Sequence, residues 1–324
     1  MLTLSSLYMR RILAILICLT AAVSLHARGR ALLIGIGDYP AESGWEKINA
    51  SNDIKLLSRA LEGYQITTLQ DSKATYNGIK TTFQRFTAEC QKGDTVIVHF
   101  SCHGQQMLQE VQNTVEEPDM LDEALVPYDA NIEYSSSYKG ECHLRDDEFC
   151  KYVDAIRTKV SQSGFVLVLL DACHSDTADR SIEDEKSDVV IRGSRNIFGE
   201  SLTGEDIDIY KYKSPLQPIS ITDAMSHVVY ISACKAHQVN RETVQDGIRY
   251  GSLTYAFCDT YPVTGLTDIT NLAQQVNRRM KKIAAAQNLG ARASFTLNIE
   301  PPVQKKETPA KKESAVDRLL KKFN

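Results

Sequence analysis

The strongest constraint on this chain is a series of short, almost wholly apolar runs that recur between amphipathic stretches: Ala31-Leu32-Leu33-Ile34, Val96-Ile97-Val98, Phe165-Val166-Leu167-Val168-Leu169-Leu170 and Val228-Val229-Tyr230-Ile231. A run apolar at every position, rather than at every second one, reads as a strand covered on both faces. Their order predicts strand 30–36, helix 52–62, strand 64–70, helix 75–90, strand 95–101, helix 145–161 and strand 165–171. A second part predicts strand 227–233, helix 251–261, helix 268–286 and strand 293–299. Such alternation gives an α/β protein, a mostly parallel sheet with helices on both faces.

Two of these runs stop on residues able to do chemistry. Phe165 to Leu170 leads into Asp171-Ala172-Cys173-His174-Ser175, and the run ending at Phe100 leads into Ser101-Cys102-His103-Gly104. Open α/β sheets place their ligands at the carboxyl ends of strands. If the two strands are neighbours, His103 and Cys173 meet there. A free thiol has a pKa of about 8.5, and an adjacent imidazole generates and orients the thiolate that attacks a carbonyl carbon, then returns the proton to the leaving amine. Backbone N–H groups of Gly104 and Cys173 are the candidate oxyanion donors. Taken one at a time, a strand-end His or Cys is a packing residue more often than a catalytic one, and free Cys is among the most buried residue types.

Taken together, the His-Gly and Asp-x-Cys-His-Ser segments resemble the signatures of the caspase/metacaspase superfamily of cysteine peptidases. Arg30 to Tyr39 resembles that family's first strand and loop, and Ser51-Asn52-Asp53-Ile54 its Asn-Asp start of the first helix. Asp122 to Asp129 resembles the metacaspase Asp-Glu segment, while Val228 to Cys234 and Gly251 to Phe257 resemble the strand and helix of the small-subunit region. The likeness runs from about Arg30 to Ile299. It implies a caspase-like three-layer sandwich built on a mostly parallel six-stranded sheet, with Cys173 as nucleophile and His103 as general base and acid. No third member of the catalytic set is evident.

The resemblance also implies a specificity. Caspases that cut after aspartate present arginines to their pocket and have Gln-Ala before the cysteine, whereas this chain has Asp171-Ala172, and its loop 37–52 contains no arginine. Asp53 stands where metacaspases place a pocket aspartate, and Ser101 matches a pocket-lining serine. Two buried carboxylates bind a guanidinium or ammonium through charge-assisted hydrogen bonds and repel an aspartate. The expected partners are therefore protein or peptide substrates with Arg or Lys before the cut bond. Structural alternatives stand beside this: Asp53 as helix-capping chemistry with Ser51 and Asn52, and Asp171 as a brace for the turn at Cys173. The family pattern is broken at Ala50, where several metacaspases have a pocket cysteine.

Two long segments interrupt the alternation. Residues 105–144 are acidic around Glu116-Glu117-Pro118-Asp119. Many metacaspases use calcium, a hard cation that takes oxygen ligands, which makes Asp119, Asp122 and Glu123 a candidate site. The competing reading is a solvated acidic loop bracing the active site, so no metal ligand is assigned and no cofactor is required. The second segment carries Arg180, Lys186, Arg192, Arg195, Lys211 and Lys213. In the family this region joins the large and small parts and is often cut during activation. The implied organisation is a catalytic domain over 28–299, made of a large part 28–178, a linker 179–223 and a small part 224–299. Two further readings are a caspase-fold scaffold protein with a covered site, and a peptide ligase working through the same acyl-enzyme.

Arg10-Arg11 followed by an apolar stretch from Ile12 to Val23 and small or polar residues to Ala27 reads as a secretory signal peptide, 1–27. The protein is then expected to be secreted or periplasmic, with no stable membrane association after signal removal; a retained anchor is the alternative. Losing Cys18 with the signal leaves seven of the eight cysteines. None has zinc-finger spacing, no particular disulfide is predicted, and Cys173 is the expected free thiol. A net charge of −4 lacks the basic bias of nucleic-acid binders. His174 reads as turn packing, His143 as a loop residue, Trp45 as either a groove wall or a packed loop aromatic, and the Pro- and Lys-rich 300–324 as a soluble tail.

Overall fold

The structure, a computed structural model, describes residues 28–108, 121–173, 189–194, 196–199, 218–235 and 238–299. The signal peptide, the tail, His174, Asp119 and most of the linker lie outside the described residues. The four apolar runs lie in β1 (Gly29–Gly35), β3 (Thr95–Ser101), β7 (Phe165–Asp171) and β8 (His227–Ser232), and the more polar, part-exposed β2 is Gln65–Gln70. With β11 (Gly290–Ala293) they form one six-stranded sheet in the order β11-β8-β7-β3-β1-β2, in which only β11 runs antiparallel to its neighbour. The chain thus has the expected caspase-like α/β fold.

Alternate residues of each strand face opposite layers, because side chains alternate across a pleated strand. Leu32, Val98 and Val168 point into one core, with Phe83 and Phe86 of α2 (Tyr76–Glu89) and Phe149 and Val153 of α3 (Asp146–Val160). Leu33, Ile97 and Leu167 point into the other, with Ile54 and Leu57 of α1 (Ala50–Ala60), Leu253 and Phe257 of α4 (Ser252–Thr264) and Leu272 and Val276 of α5 (Ile269–Ile283). These three layers explain why the interior strands β1, β3, β7 and β8 carry apolar runs, while the edge strands β2 and β11 do not.

Two expectations change. The last strand is Gly290–Ala293 rather than 293–299: it pairs with β8, and Phe295, Leu297 and Ile299 pack on the second core as irregular chain. The segment after His103 is not one long loop, since β4 (Gly104–Leu108), β5 (Leu121–Leu125) and β6 (Leu144–Arg145) make a small antiparallel sheet. A hairpin of β9 (Glu242–Gln245) and β10 (Ile248–Gly251) stands in front of α4. Among the described residues, no helix is long and apolar enough to cross a membrane.

Candidate active site

β3 and β7 are hydrogen-bonded neighbours, and their register sets Ser101 directly beside Asp171. Two residues further along each strand end come His103 and Cys173. The parallel register, fixed by continuous apolar runs, therefore delivers imidazole and thiol to one edge of the sheet.

The imidazole of His103 is only 2% exposed, lying 4.9 Å from the Trp45 ring in a stacked arrangement and 5.2 Å from the Tyr39 ring. Trp45 is thus a packed loop aromatic whose neighbour is the candidate base. Nε2 lies 2.8 Å from the Glu46 carbonyl oxygen, which can only accept, so Nε2 carries the proton and Nδ1 the lone pair. Burial, only partly offset by the Glu46 carbonyl, pushes the imidazole down to about 4, so the ring is neutral near pH 7 and able to take a proton. Nδ1 has no hydrogen-bond partner among the described residues.

The Cys173 thiol is buried and donates to the Gln238 carbonyl at 2.8 Å, and it receives a weak contact from the Cys234 thiol at 3.5 Å. His103 and Cys173 are thus brought to adjacent strand ends without a hydrogen bond between their side chains. Such bonds are often long in resting enzymes and tighten only when substrate binds. Cys102 and Cys234 are buried thiols, as their strand positions imply.

Asp53, Ser101 and Asp171 come together around a cation supplied by the chain itself. Asp53, Ser101 and Asp171 are all completely buried, and so is Arg192, whose guanidinium lies among them. One guanidinium nitrogen is 2.8 Å from Asp53, 2.8 Å from the Ser101 hydroxyl and 3.6 Å from Asp171; the other is 2.9 Å from Glu242. The carboxylates are themselves held. Asp53 accepts from Ser101 and from the Gly251 N–H, and Asp171 from Asn240 and from the N–H and hydroxyl of Thr254. Glu242 accepts from the N–H and side chain of Asn49. Burial alone would pull the guanidinium down, but Asp53, Asp171 and Glu242 outweigh it and keep it charged. Asp53 is pushed up to about 6 by burial, against the opposing pull of Arg192 and with help from Asp171. Gly251 makes the space: a Cβ there would run into the Asp171 carboxylate and come within 2.6 Å of the guanidinium.

Of the two expected oxyanion donors, the Cys173 N–H points at a carbonyl, donating to Arg192 at 2.9 Å. Gly104 heads β4 and is register partner to Leu125. His143, expected as a loop residue, is buried and joins Tyr138 to Gln105 through its two nitrogens. Asp122 is bound to Arg145 at 2.8 Å, and no cluster of three His, Cys, Asp or Glu side chains among the described residues could hold a metal. Glu242 and Arg192 are the site residues that sequence reasoning missed.

A buried thiol and a buried imidazole thus stand at adjacent strand ends of this α/β fold, beside a closed acidic cluster that holds the guanidinium of Arg192. Residues 28–320 match the family model described as the caspase domain, and the chain belongs to that family. It is 30% identical to Metacaspase-4 of Arabidopsis thaliana over 158 residues, covering 45% of this chain and 33% of that one. It is 25% identical to Metacaspase-1B of Aspergillus terreus over 270 residues, 72% of this chain and 66% of that one. A 24% identity to Metacaspase-1 of Schizosaccharomyces pombe covers 72% and 59%. The chain thus spans a third to two thirds of the length of these curated relatives. Among solved structures, protein GSU0716 from Geobacter sulfurreducens superposes with a TM-score of 0.55 at 23% identity, over 84% of this chain and 95% of that one. Caspase-1 from Spodoptera frugiperda does so with a TM-score of 0.51 at 15% identity, over 84% and 88%. Both share the fold.

Proposed function

We propose that this chain is an exported, metacaspase-type cysteine endopeptidase that hydrolyses peptide bonds after Arg or Lys through Cys173 and His103. One observation carries the reading: a guanidinium lies in a pocket of Asp53, Ser101, Asp171 and Glu242, with the carbonyl of the same residue on the Cys173 N–H. An aspartate side chain placed there would face three carboxylates. His103 Nδ1 takes the thiol proton, Cys173 attacks, and the Cys173 N–H stabilises the developing oxyanion, a contribution worth about 3 kcal/mol per donor in comparable sites. Cutting within the 179–223 linker accompanies activation. No cofactor is needed for these steps; calcium bound by Asp122 would compete with Arg145 for that carboxylate.

A second reading, a caspase-fold scaffold with a covered site, draws on the fact that Arg192 fills the pocket. The two are separated by fluorophore release from peptides ending in Arg, Lys or Asp, using the chain from Arg28 onward and its Cys173→Ala variant, with and without calcium. Release after Arg or Lys that vanishes in the variant is the expected result. Release only after Asp contradicts the pocket, and silence under every condition, even after the linker is nicked with trypsin, favours the scaffold.

A further inference from the structure

Arg192 is held as an extended peptide and not only by its side chain. Its N–H donates to the Asn240 carbonyl at 3.0 Å, the Glu242 N–H donates to the Val190 carbonyl at 2.9 Å, and Ile191 forms an antiparallel bridge with Arg241. Residues 190–192 therefore lie as an added strand along 240–242, the arrangement by which a sheet edge receives a peptide. A few residues further on the chain is fastened again. The Phe198 N–H donates to the Gln106 carbonyl at 2.8 Å, and the Leu108 N–H donates to the Phe198 carbonyl at 3.1 Å. The Phe198 ring is 4% exposed and packs against Tyr134, Tyr138 and His143.

Between these two anchors lies the Arg192–Gly193 bond, whose carbonyl accepts from the Cys173 N–H. Gly193 crosses the nucleophile at close range: a Cβ on it would stand 2.7 Å from the Cys173 carbonyl oxygen and 3.2 Å from the Cys173 Cβ. The first of these is a distance that real side chains do not adopt against backbone, so only glycine fits at that point.

We propose that Arg192–Gly193 is the bond this chain cuts in itself, once and in cis, and that the same cradle makes the cut enzyme prefer glycine immediately after the basic residue. This rests on the peptidase reading above and assigns its bond and its leaving-side specificity. In the uncut molecule residues 190–192 occupy the strand and pocket that a substrate needs, so the intact chain blocks itself. In the reaction His103 Nδ1 takes the Cys173 proton and Sγ bonds to the Arg192 carbonyl carbon. The carbon–nitrogen bond to Gly193 then breaks, with that proton passing to the departing Gly193 amine. Water then adds to the thioester, the carbon–sulfur bond breaks and the thiol recovers a proton. One water is consumed, and the products are an Arg192 carboxylate and a Gly193 amino terminus. Arg192 then leaves the pocket free of its tether to Phe198.

The test uses the chain from Arg28 onward, with mass spectrometry and amino-terminal sequencing of the fragments, and two internally quenched peptides, Val-Val-Ile-Arg-Gly-Ser and Val-Val-Ile-Arg-Val-Ser. The wild-type chain should yield a fragment beginning at Gly193, with a first-order rate unchanged on tenfold dilution. Cys173→Ala should stay whole, Gly193→Val should cut itself at least tenfold more slowly, and the cut enzyme should prefer the Gly peptide at least tenfold. A cut at another basic residue with Gly193→Val as fast as wild type, a rate that scales with concentration, or equal cleavage of the two peptides overturns the proposal and leaves the peptidase reading standing. Failure of every preparation to cut either peptide removes the peptidase reading, and this inference with it.

Discussion

The backbone N–H of Cys173 donates to the carbonyl oxygen of Arg192 across 2.9 Å, while the Arg192 guanidinium sits 2.8 Å from Asp53 at the bottom of a closed acidic pocket. One residue of the linker is thus gripped at both its side chain and its backbone carbonyl.

Glu242 holds the far nitrogen of the guanidinium at 2.9 Å. A lysine ammonium is a single point and lacks the fork that spans Asp53 and Glu242 together. Glu242→Gln should therefore lower kcat/KM for Arg peptides by roughly tenfold or more, the loss expected for a hydrogen bond to a charged group worth about 1.5–3 kcal/mol, mostly through KM. Lys peptides should lose less. Steady-state kinetics on matched Arg and Lys peptides reads the difference.

Arg192 balances a completely buried cluster of carboxylates. Removing one partner of a buried charge group leaves uncompensated charge and costs about 3–5 kcal/mol. Arg192→Met in the uncut Cys173→Ala background should lower the urea midpoint accordingly, and adding Asp53→Asn should recover part of the loss.

Acid should destabilise the fold. Burial pushes His99 and His103 down to about 4 and His143 to about 3, below the ordinary value of about 6.5. The unfolded chain binds these protons first, so the stability present above about 6.5 is lost as pH falls through the folded-state values. Asp53, pushed up to about 6, works in the opposite sense, since its buried form is favoured by acid. With three histidines against one carboxylate, the Tm of Cys173→Ala should fall by more than about 5 °C from pH 7 to pH 5. A flat or rising Tm would contradict this balance.

Much of the site was legible because its positions are fixed by local rules. A fully apolar run must be an interior parallel strand, and its carboxyl end must be where Ser101, His103, Asp171 and Cys173 emerge. The resemblance then carried Asp53 to the pocket. Glu242 carried no such mark, since it opens a polar hairpin whose place in front of α4 is set by long-range pairing. Arg192 was one of six basic residues in the linker, and what singles it out is the strand pairing of 190–192 with 240–242, a contact between distant segments. The alternation of Phe295, Leu297 and Ile299 read as a strand because period-two burial looks alike whether or not a ladder forms; here the ladder stops at Ala293.

Gly251 should be intolerant of any side chain. A Cβ would enter the space shared by Asp171 and the bound guanidinium, so Gly251→Ala should lower kcat/KM for Arg peptides about a hundredfold or more. Alkylation of Cys173 by a small reagent such as iodoacetamide should proceed as in the wild type, which separates a closed pocket from a collapsed fold.

The central claim, a Cys173 nucleophile beside a pocket for a basic side chain, is tested most directly by labelling the self-cut chain with two peptidyl chloromethyl ketones, Val-Val-Ile-Arg and Val-Val-Ile-Asp. The arginine probe should add once per chain, on Cys173 by peptide mapping, and not at all to Cys173→Ala, while the aspartate probe adds nothing. Labelling by the aspartate probe, or an arginine adduct on Cys234 in place of Cys173, would contradict it.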